Sequence, residues 1–317
     1  MSESNTSGWE RAVLEKVALA AVTEQRRARR WSILFKFLIF AYLFIVLFVA
    51  MGWFGKKDGS PDKHTALVEL NGVIAAGSPA SADAVMQGLA DAFKDKRTQG
   101  IILRINSPGG SPVQSGYIND EIKRLRAKYP QIPLDAVVED ICASGGYYVA
   151  VAADRIFVNK ASMIGSIGVL MNGFGFTGTM EKLGVERRLL AAGENKGFLD
   201  PFSPLNDDQK AHARQMLAEI HEQFIDVVRK GRGKRLKETP EMFSGLVWVG
   251  QKSIELGLAD AIGSAEQVAR DVIKAEEIVD FTPRENVAER FAKRFGASMA
   301  ESLIKFGGAG AINLQVR

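Results

Sequence analysis

An α/β fold with buried, mostly parallel strands is predicted by three observations. Short apolar, β-branched runs recur from residue 65 onward: "TALVELNGVI", "GIILRIN", "LDAVV", "DRIFV" and "RRLLAA". Between them stand helical patterns such as "ADAVMQGLADAFKD" and "SGYINDEIKRLRAKY". This alternation is that of α/β architecture. A chain of 317 residues with 46% hydrophobic and 25% charged side chains is long enough for a sizeable core.

Residues 1–30 read as a basic leader and residues 31–54 as a transmembrane helix. Phe37 to Phe54 is an uncharged apolar run of 18 residues, and extension back to Trp31 gives 24 interrupted only by Lys36. At about 1.5 Å per residue such a helix spans a hydrocarbon core of about 30 Å. Trp31 and Trp53 sit where interfacial anchors belong. The long charged leader and the lack of an A-x-A site favour a retained anchor over a cleaved signal peptide. Residues 11–30 carry six Lys/Arg and residues 55–74 carry three. The positive-inside bias therefore puts the N-terminus in the cytoplasm and the body outside.

The formal charge of +4 is concentrated in that leader, where residues 1–36 hold seven Lys/Arg against four Glu. The rest is near neutral, which removes most of the case for nucleic acid. The single cysteine, Cys142, forms no intrachain disulfide, so an exported body is stable without one.

Residues 55–64 read as a polar linker, residues 65–280 as the folded body and residues 281–317 as an amphipathic tail. After Pro204, Asp207 is a plausible N-cap for a long helix whose apolar side includes Met216, Ile220, Phe224 and Val227. "GLVWVGQKSIELGLADAIGSAEQVARDVI" reads as a strand, a helix, a turn and another helix.

Two segments offer chemistry. "INSPGGS", residues 105–111, follows the strand "GIILR". Glycine-rich backbone N–H groups there can hold an anion or a developing oxyanion, although a plain strand-to-helix turn reads the same way. The segment lacks the G-K-[ST] ending of a phosphate loop. In "CASGGYYVA", Ser144 lies between small neighbours at the start of a helix, with Gly145 as an oxyanion donor. An ordinary serine N-cap is the bland alternative. Cys142 reads as a packed small hydrophobe.

A serine nucleophile needs a base, and the three histidines serve poorly: His64 falls in the linker, His212 and His221 on the long helix. A lysine base must then be considered, which requires its pKa of about 10.4 to fall to near 7, at a cost of about 4 kcal/mol. The pattern G-x-S-x-G of α/β-hydrolases is absent. "GFGFTG", residues 173–178, lacks the βαβ unit of a dinucleotide site and reads as a loop near the groove.

"INSPGGS", "CASGGYYVAVAAD" and "ASMIGSIGV", in that order and spacing, resemble the bacterial signal peptide peptidase A family, membrane-anchored Ser-Lys peptidases related in fold to Clp protease and crotonase. The resemblance implies repeated ββα units with mostly parallel sheets. It also implies Ser144 as nucleophile, and Lys196 in "AAGENKGF" as general base 52 residues on. Ser166 would orient the lysine, and backbone N–H groups of Gly109 or Gly110 and of Gly145 would form the oxyanion hole. The lysine segment is less polar than the family pattern. No metal or organic cofactor is implied. Implied substrates are signal peptides and unfolded apolar segments, cut by a homo-oligomeric ring or dome at the bacterial inner membrane, with the catalytic body on the periplasmic side. A catalytically silent membrane scaffold and a crotonase-like acyl-CoA enzyme are the competing classes.

Overall fold

The computed structural model describes residues 6–50 and 62–284, in two separate compact units. In the first, helix α1 (Thr6–Ala50) is continuous through 45 residues, about 67 Å long, so the leader is helical and runs on into the apolar stretch. Residues 13–48 are long and apolar enough to cross a membrane, by length and composition. Of the predicted tail 281–317, the first four residues belong to the body, Phe281 N–H donating to the Leu67 carbonyl at 2.8 Å; residues 285–317, most of the predicted linker and residues 51–54 of the predicted membrane helix, Trp53 among them, lie outside the described residues.

The second unit is a mostly parallel sheet with helices on it. In chain order its elements are β1 (His64–Asn71), α2 (Ala82–Lys94), β2 (Thr98–Ser107), α3 (Pro112–Lys128), β3 (Leu134–Ala143) and α4 (Gly145–Ala150). Then come β4 (Arg155–Val158), β5 (Met163–Gly165), α5 (Thr177–Lys182), α6 (Asp207–Arg232), β6 (Val247–Val249) and α7 (Gly250–Glu255). β7 (Ala261–Ile262), α8 (Ala265–Gln267), which continues as a π-turn, and β8 (Ile278–Asp280) complete the described chain. The order across the sheet is β6-β5-β3-β2-β1-β8, with β4 also on β3 and β7 on β4. Every pairing is parallel except β5 with β6.

The strands are apolar on both faces because both are covered. On one face Val68, Leu70, Leu103, Ile105, Ala136 and Val138 meet α2, α3, α4 and the inner side of α6. On the other, Leu67, Ile102, Val137 and Phe157 meet Ala265, Val268 and Ala269. Each fully buried Leu or Ile contributes roughly 1.5–3 kcal/mol, so this two-sided core dominates stability.

The structure corrects four expectations. His64 is no linker residue: it begins β1, fully buried, with Nε2 3.3 Å from Thr98 Oγ1 and its ring stacked on Phe281. "RRLLAA" forms no strand, and Leu190 is 96% exposed; among the described residues no neighbouring edge pairs with its backbone groups. The N-cap of α6 is Asn206, whose side chain accepts from Asp208 and Gln209 N–H, rather than Asp207. Of the predicted apolar side of α6, Phe224 is buried and Ile220 and Val227 half-buried, but Met216 is exposed and the buried stripe is completed by Ala213, Ile225 and Val228.

Candidate active site

Ser144 stands at the end of β3, where Ala143 is in register with Gly165 of β5 and the Ser144 N–H donates to the Gly165 carbonyl at 2.8 Å. Its backbone turns sharply there, with φ 51° and ψ −124°, and α4 starts at the next residue. An ordinary N-cap has extended backbone and uses its side chain to cap. Ser144 does neither, and its hydroxyl makes no capping hydrogen bond. A non-glycine residue in this region costs about 1–3 kcal/mol and persists only when its surroundings fix it.

Those surroundings are identifiable. Tyr147 is wholly buried, and its hydroxyl donates to the Leu258 carbonyl at 2.8 Å, which holds α4 in the core. Gly109 presses against the turn: a side chain there would meet Gly145 N at 2.6 Å and Ser144 Cβ at 2.8 Å. Gly145 in turn rests on Ser115 Oγ of α3 and near Gly110 N. Only glycines allow the two backbone segments to come this close.

The "INSPGGS" loop is fixed by strand-like bonds to the chain beyond β1. Ile74 N–H donates to the Gly109 carbonyl at 2.9 Å, and Ser111 N–H to the Ile74 carbonyl at 2.8 Å. The Gly109 N–H donates to Ser107 Oγ at 3.1 Å. Of the two loop glycines expected as oxyanion donors, Gly109 thus has its N–H engaged. Ser111 caps α3 and Pro112 opens it, so one motif forms both the loop and the helix start.

Ser166 follows Gly165 as Ser144 follows Ala143. It too has φ 51°, and its N–H donates to the Leu246 carbonyl at 2.7 Å. Beside Ser144 lies a small cavity of about 50 Å³, walled by Gly110, Pro112, Tyr148, Val169, Ile220 and Phe224 among others. Helix α6 therefore forms one side of the site as well as packing on the core. Larger clefts, such as one of about 480 Å³ between Glu139, Asn159 and Gln267, lie away from Ser144.

Lys196 is not among the residues that wall the cavity beside Ser144. It sits in an exposed turn, its N–H donating to the Gly193 carbonyl at 3.0 Å. The turn is held on the N-terminal half of α6: Leu199 N–H donates to Gln209 Oε1 at 3.0 Å, and Phe198 lies edge-on to His212. Ser144 faces the other half, near Gln223 and Phe224. From Gln209 to Gln223 is almost four helical turns, about 21 Å.

Cys142 is fully buried, and burial pushes its thiol well above the usual range, so it is a core residue and not a nucleophile. Of segment 173–178, residues 173–176 are an exposed loop while Thr177 and Gly178 open α5, with open space around the segment's three glycines. Among the described residues no group of three or more His, Cys, Asp and Glu could hold a metal ion. Nothing in the sequence pointed to Ser115, the floor under Gly145, and His221, weighed only as a base, has its Nε2 3.1 Å from the Ile167 carbonyl. His221 does fall on the helix that bears Ile220 and Phe224, the only signal that could have found it.

Residues 126–279 match the model of peptidase family S49. A putative protease of a Synechocystis strain is 31% identical over 207 residues, 65% of this chain and 72% of its own. The chain belongs to peptidase family S49. A putative signal peptide peptidase SppA of Enterococcus faecium is 29% identical over 234 residues, 71% of this chain and 67% of its own. A Brucella melitensis protein named Na(+)/H(+) antiporter NhaA is 42% identical over 202 residues, 62% of this chain, but the match spans only 27% of that protein. The S49 match takes in Ser144, Ser166 and Lys196 and leaves the Gly109–Gly110 loop upstream of it. The mostly parallel sheet is that of the Clp protease-like S49 fold, and the relatives place the chain in the signal peptide peptidase A group.

Proposed function

We propose that this S49 protein is a membrane-anchored serine endopeptidase that cuts signal peptides and other unfolded apolar segments with a Ser-Lys dyad. The observation that carries the reading is Ser144: a strained serine between a strand and a helix, its hydroxyl unspent on capping, against a glycine-rich loop. Neutral Lys196 takes the Ser144 proton, the alkoxide attacks a peptide carbonyl, and the Gly110 and Gly145 N–H groups stabilise the tetrahedral oxyanion. The lysine ammonium then protonates the leaving amine, and a water activated by the same lysine releases the acyl group. Ser166 orients the lysine.

Lys196 lies on a segment, residues 170–205, that exposes Leu170, Phe174, Leu183 and Leu190. So much exposed apolar surface is characteristic of an interaction site. In the proposed reading, copies of the chain cover this segment in a ring, and Lys196 reaches Ser144 across the contact between copies. The orientation has the body on the periplasmic side of the inner membrane.

The test is hydrolysis of a fluorogenic peptide with an apolar acyl-side residue by the full-length protein in detergent, compared with Ser144→Ala and Lys196→Ala. Loss of activity in both, with assembly intact, is the expected result. Activity retained in Lys196→Ala removes the dyad. A wild-type protein inactive on every peptide leaves the scaffold or acyl-CoA classes.

A further inference from the structure

We propose that His221 is a positioning residue for Ser166, acting through the buried carbonyl of Ile167; this rests on the peptidase reading above. The antiparallel ladder of β5 with β6 continues one step to Ser166, whose N–H donates to Leu246 at 2.7 Å. There the chain leaves the ladder. Ile167 is fully buried, and a buried carbonyl must find a donor elsewhere. His221 supplies it, with Nε2 at 3.1 Å. The carbonyl can only accept, which fixes the proton on Nε2.

This bond sits in the middle of a short run with two functional ends. At one end Ser166 holds φ 51° next to Ser144, and at the other Val169 forms part of the cavity wall. Elsewhere the run has little slack, since a Cβ on Gly168 would meet Gly245 Cα at 3.1 Å. A left-handed serine keeps its conformation only if the residues around it are held. His221 provides that hold from α6, the helix whose Ile220 and Phe224 wall the same cavity. Displacing the Ile167 carbonyl lets Ser166 relax, and its hydroxyl then no longer meets the lysine.

The experiment compares His221→Met, which has similar reach and no N–H, with His221→Gln, which has similar reach and a donor. Full-length protein in detergent is assayed on the apolar fluorogenic peptide, with active sites counted by end-point labelling with a fluorophosphonate, so that a partly unfolded variant is still read per competent site. The Met variant is expected to lose at least tenfold in kcat with KM within twofold of wild type, and the Gln variant to stay within threefold. In a Ser166→Ala background the Met change should cost less than twofold more, because both act on one hydroxyl. A Met variant with wild-type kcat, equal impairment of Met and Gln, or losses that multiply in the double variant each overturn the inference. Activity surviving in Ser144→Ala overturns Ser144 as the nucleophile, and a wild-type protein inactive on every peptide overturns the peptidase reading, so these failures are distinct from that of His221.

Discussion

Ser144 and Ser166 leave neighbouring parallel strands at the same level, each one residue past the register pair Ala143 and Gly165, and each with φ 51°. Two left-handed serines side by side are an expensive arrangement for a protein to keep by accident. Both sites therefore store strain that glycine would relieve.

Replacing Ser144 by glycine is expected to abolish peptide hydrolysis while raising stability. The gain should be about 1 kcal/mol, or 2–4 °C in Tm for a domain of this size. Differential scanning calorimetry alongside the peptide assay checks both halves, and a lowered Tm would show that the turn is unstrained.

Mixing inactive subunits tests where Lys196 acts. If the lysine serves a neighbouring copy, Ser144→Ala and Lys196→Ala proteins co-assembled from a denatured mixture should recover up to about a quarter of the wild-type rate, because some contacts then pair an intact serine with an intact lysine. No recovery, with mixed assemblies demonstrated, would place the pair within one chain.

Cavity size should set the preferred side chain. About 50 Å³ beside Ser144 is room for little more than one water or a small side chain. Phe224→Ala opens this wall and is expected to raise kcat/KM for leucine over alanine at the acyl side by roughly tenfold. It also removes the ring packed 5.2 Å from Tyr148 and should cost about 3–5 kcal/mol of stability. An unchanged leucine-to-alanine ratio would mean that another surface reads the acyl-side residue.

Acid should destabilise the body through Asp260 and Asp95. Burial opposes the charge on Asp260, but two hydrogen bonds from the buried Arg232, with help from Arg235, hold its carboxyl below the ordinary range. Arg97 holds Asp95 down at about 2. Acids depressed in this way stabilise the fold above the unfolded value of about 3.9, and that contribution is lost as pH falls through the folded value. Asp135 acts in reverse: burial outweighs Arg155 and raises it, so its protonation favours the folded state. The urea midpoint is expected to fall between pH 4 and pH 2, with Asp260→Asn flattening part of the slope. Asp260→Asn should itself cost about 3–5 kcal/mol at pH 7, because it leaves Arg232, 1% exposed, without its counter-charge.

The sheet was legible in the sequence because its strands are covered on both faces and read as apolar runs between amphipathic helices. "INSPGGS" and "CASGGYYVA" were legible as motifs, since only small residues fit where the two backbone segments touch. The sign of φ at Ser144 was not, because serine is common at ordinary helix starts. "RRLLAA" misled because its two leucines are apolar yet exposed, Leu190 almost completely. His64 misled because the polar linker runs into a strand whose first residue is covered by Phe281, more than two hundred residues away. The bond from His221 to Ile167 was invisible for the same reason, being made across a long stretch of chain with no local signature.

Helix α6 grips the Lys196 turn at one end and walls the cavity beside Ser144 at the other. If the dyad is completed by a neighbour, the contact is head to tail, each copy lending its lysine in one direction and receiving one from the other. Such a chain of loans is satisfied everywhere only when it closes on itself. The length and stiffness of one helix would then decide how many copies make a working enzyme, and an incomplete ring would carry at least one idle serine.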